Sequence, residues 1–267
     1  MHKGEDADYY LKKGFNVIGF EADPDLIDFC KKRFEDEIQT QRLIIIEGAI
    51  VDKNYDKPTT FYKNKKNTVW GTVVKEWATR NAKNDADSEI ISVSSIDFKE
   101  CIKKYGVPYF LKIDIEGMDL ICCKTLLEFN EKPNFISIES EKNDYQKLIE
   151  EIDLFEKLGY KNFKAVQQDG ISKQKENYPS TEGKYLDYKF LEGSSGLFGE
   201  DLPDDWISSS KIKKRYKKIF LYYQLFGDNS ILRKFFFTKV ILKIFRRLTG
   251  IPTPGWYDTH VKHEIKK

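Results

Sequence analysis

Four short apolar runs, each closed by an acid or an acid and a glycine, constrain this chain most. They are "FNVIGF" before Glu21, "LIII" before Glu47 and Gly48, "YFLKI" before Asp114, and "FISI" before Glu139. Each run is strand-length, and the segments between them carry apolar residues at helical spacing. After Glu21, Asp23 can cap a helix with Pro24 at its first position, and Leu26, Ile27, Cys30 and Phe34 share one face. Asp97–Tyr105 reads as a short helix stopped by Gly106 and Pro108, and a helix is expected from about Met118 to Phe129. Tyr145, Leu148, Ile149, Ile152, Phe155 and Leu158 repeat as one face of another, which Gly159 ends, and "KNFKAV" follows as a late strand. Strand and helix in alternation predict an α/β chain with an open sheet and helices on both faces.

Less regular stretches break this rhythm. "KPTTFYKNKKNTVWGTVV" (Lys57 to Val74) reads as a β-hairpin turning at "KNKKN". "ATRNAKNDADSE" reads as a loop and "IISVSSI" as a strand. "GSSGLFGEDLPDDW" (Gly193–Trp206) follows no strand, so its glycines predict a shaped loop rather than a phosphate cradle. The expected division is 1–206, an α/β domain, and 207–267, a basic and aromatic-rich helical extension.

Charge supports that division. Net charge is +2, yet Lys211 to Arg247 holds 12 Lys and Arg against one acid, Asp228, which is +11 and leaves −9 for the remainder. Tyr216, Ile219, Phe220 and Tyr223 share one helical face of this arm; Leu232, Phe235, Phe236, Val240 and Phe245 roughly share another. A docked amphipathic helix explains the arm. Attachment to an anionic membrane surface is the second reading. The acidic remainder disfavours nucleic acid as a partner.

Four cysteines (Cys30, Cys101, Cys122, Cys123) form no CxxC pair and suit a reducing, cytoplasmic setting. With three histidines in the chain, no metal site is expected. The N-terminal residues are charged at once and do not read as a signal peptide, and no apolar run is long enough to span a bilayer.

In open α/β sheets ligands bind beyond the carboxyl ends of the strands. Glu21 is placed to take two ribose hydroxyls, with a helix cap as the plainer alternative. Gly48 and Ala49 allow a flat ring close to the backbone, or make an ordinary turn. Asp114 and Glu116 are two acids where capping explains one. Glu139 is equally a cap or a site residue. His260, in "GWYDTH", reads as an exposed tail histidine among turn residues and as a lesser candidate for a general base. No GxGxxG follows a strand, which argues against a nicotinamide dinucleotide and its oxidoreductase chemistry.

"GEDADYYLKKGFNVIGFEADP" (Gly4–Pro24), "FLKIDIEGMDL" (Phe110–Leu120), "ISIES" (Ile136–Ser140) and "GSSGLFGEDLP" (Gly193–Pro203) together resemble the FkbM family of S-adenosylmethionine-dependent methyltransferases. The resemblance implies a Rossmann-like class I methyltransferase sheet. It implies that Glu21 holds the cofactor ribose and that Gly48 and Ala49 lie near its adenine. Asp114 would face the methyl donor, and Gly4, Glu5, Asp6 and Ala22 would complete the S-adenosylmethionine site. The acceptor implied is a hydroxyl on a saccharide or small natural product, with Asp114, Glu116 and His260, in that order, as bases. In the family a first strand and an acid-x-Gly turn precede the counterpart of "HKGEDADYY". This chain begins inside that loop, so a sheet lacking its first strand, and weak cofactor binding or none, are expected. A non-catalytic module recruited through the basic arm is the rival reading.

Overall fold

A computed structural model describes residues 1–226 except Lys53, Asn84, Asp85, Asn143 and Glu192, together with Ile244 and residues 256–264. The described chain is mixed α/β and divides into two compact units. One comprises Met1–Pro108, Ile113–Glu131 and Ile171–Pro203; the other comprises Tyr109–Lys112, Lys132–Gly170 and Asp204–Lys267.

The first unit opens with α1 (Glu5–Lys12), β1 (Val17–Glu21), α2 (Pro24–Arg33), α3 (Glu35–Gln39) and β2 (Leu43–Glu47). β1 and β2 pair in parallel, from Val17 opposite Leu43 to Glu21 opposite Glu47. α2 starts where the sequence predicts: the Asp23 carboxylate accepts the Asp25 N–H at 2.9 Å, with Pro24 at the first turn. Ala7, Leu11, Cys30, Phe34 and Leu43 form the core that joins these elements. Each large apolar side chain so buried contributes about 1.5–3 kcal/mol.

Next come β3 (Ala49–Ile50), β4 (Thr59–Asn64), α4 (Lys75–Ala82), β5 (Ser88–Val93), β6 (Ser95–Ile96), α5 (Phe98–Tyr105) and α6 (Asp119–Thr125). The hairpin expected within Lys57–Val74 is not the one formed. β4 pairs antiparallel with β5, and only Tyr62 bridges back to Thr72. The reason lies in the turn. The buried Asn64 side chain accepts the Lys66 and Asn67 N–H groups and donates to the Ala86 carbonyl at 2.9 Å, while a 3-10 turn over Thr68–Trp70 diverts the chain. The loop expected from Ala78 is helical as far as Ala82.

The glycine-rich segment is a shaped loop anchored to α1. Ser195 donates its N–H to the Asp6 carboxylate at 2.7 Å, and the Phe198 ring packs edge-on against Tyr9, Tyr10 and Phe15. Gly196 has φ +84°, and a Cβ there would lie 2.3 Å from Gln174 Oε1, so the tight passage demands glycine.

The second unit contains β7 (Phe110–Ile113, its last residue counted with the first unit), β8 (Phe135–Glu139), α7 (Tyr145–Lys157), β9 (Tyr160–Gln167), α8 (Ser209–Phe226) and β10 (Tyr257–His263). Its sheet order is β7-β8-β10-β9, with β10 antiparallel to both neighbours. The expected boundary between 206 and 207 therefore does not match the compact units. The chain's last described strand lies inside the sheet, between two strands nearly a hundred residues or more upstream.

α8 bears out the docked reading for the first part of the basic arm. Ile212, Tyr216 and Phe220 are buried, and α8 packs on α7 and β9. Leu232, Phe235, Phe236, Val240 and Phe245 lie outside the described residues. Tyr216 Oη, Ser140 Oγ and Thr259 Oγ1 form a buried triangle with sides of 2.6–2.7 Å. Tyr216→Phe should cost about 1 kcal/mol, because Ser140 and Thr259 keep each other as partners. Chemical denaturation measures this, and a loss above about 3 kcal/mol would mean that the hydroxyls cannot re-pair.

Candidate functional site

Glu21 ends β1 with its side chain 10% exposed and every oxygen engaged. Oε1 accepts the N–H groups of Ala22 and Asp23, each at 2.9 Å. Oε2 accepts the His2 N–H at 2.7 Å and faces the Met1 ammonium at 3.1 Å. Burial by itself would raise its pKa. The ammonium and the N–H donors outweigh burial and hold the carboxyl below its ordinary range, so Glu21 is a fixed anion at neutral pH.

Gly48 donates its N–H to the Glu21 carbonyl at 2.8 Å, which ties the ends of β1 and β2 together. Its φ is +139°, and a Cβ there would sit 2.4 Å from the Ser94 carbonyl oxygen. Glycine is thus required by Ser94 in the neighbouring segment, a reason the sequence does not disclose. Ala49 donates to the same Ser94 carbonyl at 2.9 Å and packs with Phe61 and Val93, and Ala22 lies against that cluster. Glu21, Ala22, Gly48 and Ala49 are therefore brought together.

Gly4, Glu5 and Asp6 begin α1. Gly4 has φ +78°, and a Cβ there would strike the Phe34 ring at 2.3 Å. Glu5 is buried, and its Oε1 meets His2 Nδ1 at 3.0 Å. Burial pushes its pKa up, but His2, a backbone N–H and the Arg33 charge together outweigh this and the net direction is down. His2 Nε2 reaches Thr68 Oγ1 at 2.8 Å. His2 thus links Glu5, Thr68 and Glu21. No sequence pattern marks it in advance.

Asp114 is exposed just beyond β7. Glu116 has φ +50° and Gly117 has φ +101°, so the chain makes a left-handed turn between them. A non-glycine residue held in that region costs about 1–3 kcal/mol and persists only when its surroundings enforce it. Two groups enforce it here. Thr72 Oγ1 donates to the Glu116 carbonyl at 2.7 Å. Asp119 accepts the Ile115 N–H at 2.9 Å and the Gly117 N–H at 3.0 Å. Burial, reinforced by the Asp114 charge, raises the Asp119 pKa against these N–H donors. Capping of this turn therefore falls to Asp119. No local pattern marks Asp119, because it accepts from backbone N–H groups upstream of itself rather than two residues on.

His260 is not a tail residue. It lies in β10 opposite Ser137 on one side and Lys164 on the other, is 2% exposed, and has Nε2 3.3 Å from Ser137 Oγ. Burial first, then the Lys164 and Lys112 cations, push its pKa down to about 3. No acceptor hydroxyl reaches a nitrogen enclosed in this way, which removes it from the set of bases. Glu139 ends β8 and pairs with Lys142 at 3.0 Å.

Among the described residues no helix is long and apolar enough to cross a membrane. A family model described as the methyltransferase FkbM domain matches residues 1–161, the span that contains every element above up to α7. No curated protein and no solved structure matches the chain.

Proposed function

The chain belongs to the FkbM methyltransferase family, and from that premise we propose that it transfers a methyl group from S-adenosylmethionine to a hydroxyl oxygen of a saccharide or small natural product. The observation that carries this reading is the junction of β1 and β2. A carboxylate held ionised on backbone N–H groups stands beside the Gly48–Ala49 backbone, which suits a ribose and the ring attached to it. Glu21 would accept from the ribose hydroxyls through Oε2, in place of the Met1 ammonium and the His2 N–H that it meets now. Ala22, Gly48 and Ala49 would shape the adenine side, and Gly4, Glu5 and Asp6 at the start of α1 would complete the site.

S-adenosylmethionine, when bound, supplies a sulfonium-activated methyl group. The chain's own task is to hold the acceptor in line and to receive its hydroxyl proton. Positioning of that kind supplies about 7–11 kcal/mol in favourable cases. The exposed Asp114 carboxylate is the first candidate for the proton and Glu116 the second. Both sit on a turn fixed by Thr72 and Asp119.

Glu21→Ala should lower affinity for S-adenosylhomocysteine by about ten- to a hundredfold, as expected for loss of hydrogen bonds to a charged group. Isothermal titration calorimetry measures it, with Glu21→Gln as a shape-preserving control. Unchanged affinity in Glu21→Ala would remove the ribose role. Absence of binding in the parent protein would remove the cofactor.

A further inference from the structure

α8 buries one face and leaves the opposite face open, and both belong to the second unit. Ile212, Tyr216 and Phe220 recur every four residues and are buried, where α8 packs on α7 and β9. On the far side Lys211, Lys214, Arg215 and Lys218 form an exposed stripe. Lys217 is exposed at its margin, and Leu221, 57% exposed, stands at its end. The fold has a use for only part of this charge. Lys213 pairs with Asp153 and Glu156 of α7 and so helps to dock the helix. Lys211, Lys214, Lys217 and Lys218 pair with no acid among the described residues, and α8 carries none of its own.

The stripe works against the helix that bears it. Lys211 with Arg215 and Lys214 with Lys218 are four residues apart, and like charges at that spacing repel. Lys211 also lies in the first turn, where the positive end of the helix disfavours a cation. A surface of anions outside the chain relieves both repulsions. Two observations favour lipid as that surface. Leu221 is aliphatic and open to solvent beside the cations. A nucleic acid offers phosphates and flat bases, which suit aromatic side chains, whereas a bilayer sets hydrocarbon directly beneath its anionic headgroups. The sequence beyond α8 repeats the combination: residues 229–247 hold six Lys and Arg and ten Ile, Leu, Val and Phe, with no acid.

We propose that the outer face of α8 docks on an anionic lipid bilayer, with Lys211, Lys214, Arg215, Lys217 and Lys218 at the headgroups and Leu221 entering the acyl boundary. The docked helix and the membrane contact then use opposite faces of one element. The full chain should float with vesicles of phosphatidylcholine carrying about 30 mol% phosphatidylglycerol at about 0.1 M salt, and detach by about 0.5 M as screening shortens. Binding to phosphatidylcholine alone should be at least about tenfold weaker. Lys214→Gln with Lys217→Gln and Lys218→Gln should lower the partition coefficient about a hundredfold, the value for three cations at such a surface. Leu221→Ala should lower it about threefold without altering the salt dependence. Lys142→Gln with Lys161→Gln, exposed lysines on other parts of the same unit, should leave it within about twofold. All of these positions are open to solvent, so melting temperatures should stay within about 2 °C of the parent. Absence of binding to the anionic vesicles, equal binding to neutral ones, or anionic binding that survives the triple substitution would overturn the assignment. So would displacement from vesicles by duplex oligonucleotides bound with an affinity indifferent to Leu221→Ala, which would give the face to a nucleic acid.

Discussion

Replacing Lys13 with methionine is expected to lower the unfolding free energy by about 3–5 kcal/mol, the usual cost of stripping one partner from a buried ion pair. Lys13 caps the end of α1 with its side chain fully enclosed. Its Nζ pairs with Glu176, lies 3.1 Å from Asp201 Oδ2 and donates to Ser180 Oγ at 2.8 Å. Burial opposes its charge and lowers its pKa, although the Asp201 carboxylate works the other way. Asp201 also accepts the Thr181 and Glu182 N–H groups, and Glu176 accepts that of Leu186. Methionine would fill the space but leave two enclosed carboxylates without a counter-charge. Urea denaturation should show the loss, and adding Glu176→Gln with Asp201→Asn should recover more than half of it. A loss below about 1 kcal/mol would mean that water reaches the cluster and screens it. Amide exchange at Ser195 should quicken in the same variant, because Lys13 holds the segment that Ser195 shares with Asp6.

The second large effect is on pH. His260 is neutral in the fold, with its pKa pushed to about 3, against an ordinary value of 6.5 in the unfolded chain. Below pH 6.5 the unfolded state takes up a proton that the folded state refuses. Stability from this residue is therefore complete above pH 6.5 and declines as the pH falls toward 3. Each pH unit within that window is worth about 1.4 kcal/mol, so pH 5 should cost about 2 kcal/mol relative to neutrality. Glu5 and Glu21 have lowered pKa values, so their stabilisation is complete above about pH 4.5 and is lost only as the pH falls below it, which separates them from the histidine. Denaturation midpoints from pH 7.5 to 5 measure the slope. His260→Gln should flatten it, and an unaltered slope would assign it to other groups.

Much of the strand and helix pattern was legible because its signals are local. Asp23 with Pro24 and Asp97 with Gly106 mark their helices, and the apolar runs mark β1, β2, β7 and β8. What was not legible depends on partners distant in sequence. "YDTHVKH" is polar at alternate positions and sits among turn residues, so nothing local shows that it enters a sheet. It is stabilised there by Ser137, Ser140 and Tyr216, which bond its polar side chains. The pairing of β4 with β5 escapes the sequence for a similar reason: Ala86, which fixes Asn64, follows an intervening helix. Glu21, Gly48 and Asp114 could be singled out because strand-end position is itself local. His2, Thr72 and Asp119 could not, since their importance lies in whose backbone they hold.

The place of β10 also sets a timetable for synthesis. Thr259 meets Ser140 across a separation of 119 residues. At about 5–20 residues per second, roughly 6–24 seconds pass between the emergence of β8 and that of its neighbour. Through that interval β8 and β9 each expose an edge of open N–H and C=O groups, which other strands can capture. A nascent or prematurely ended chain is therefore most vulnerable to aggregation at its sheet's centre, and protection there depends on β10, which emerges long after its partners.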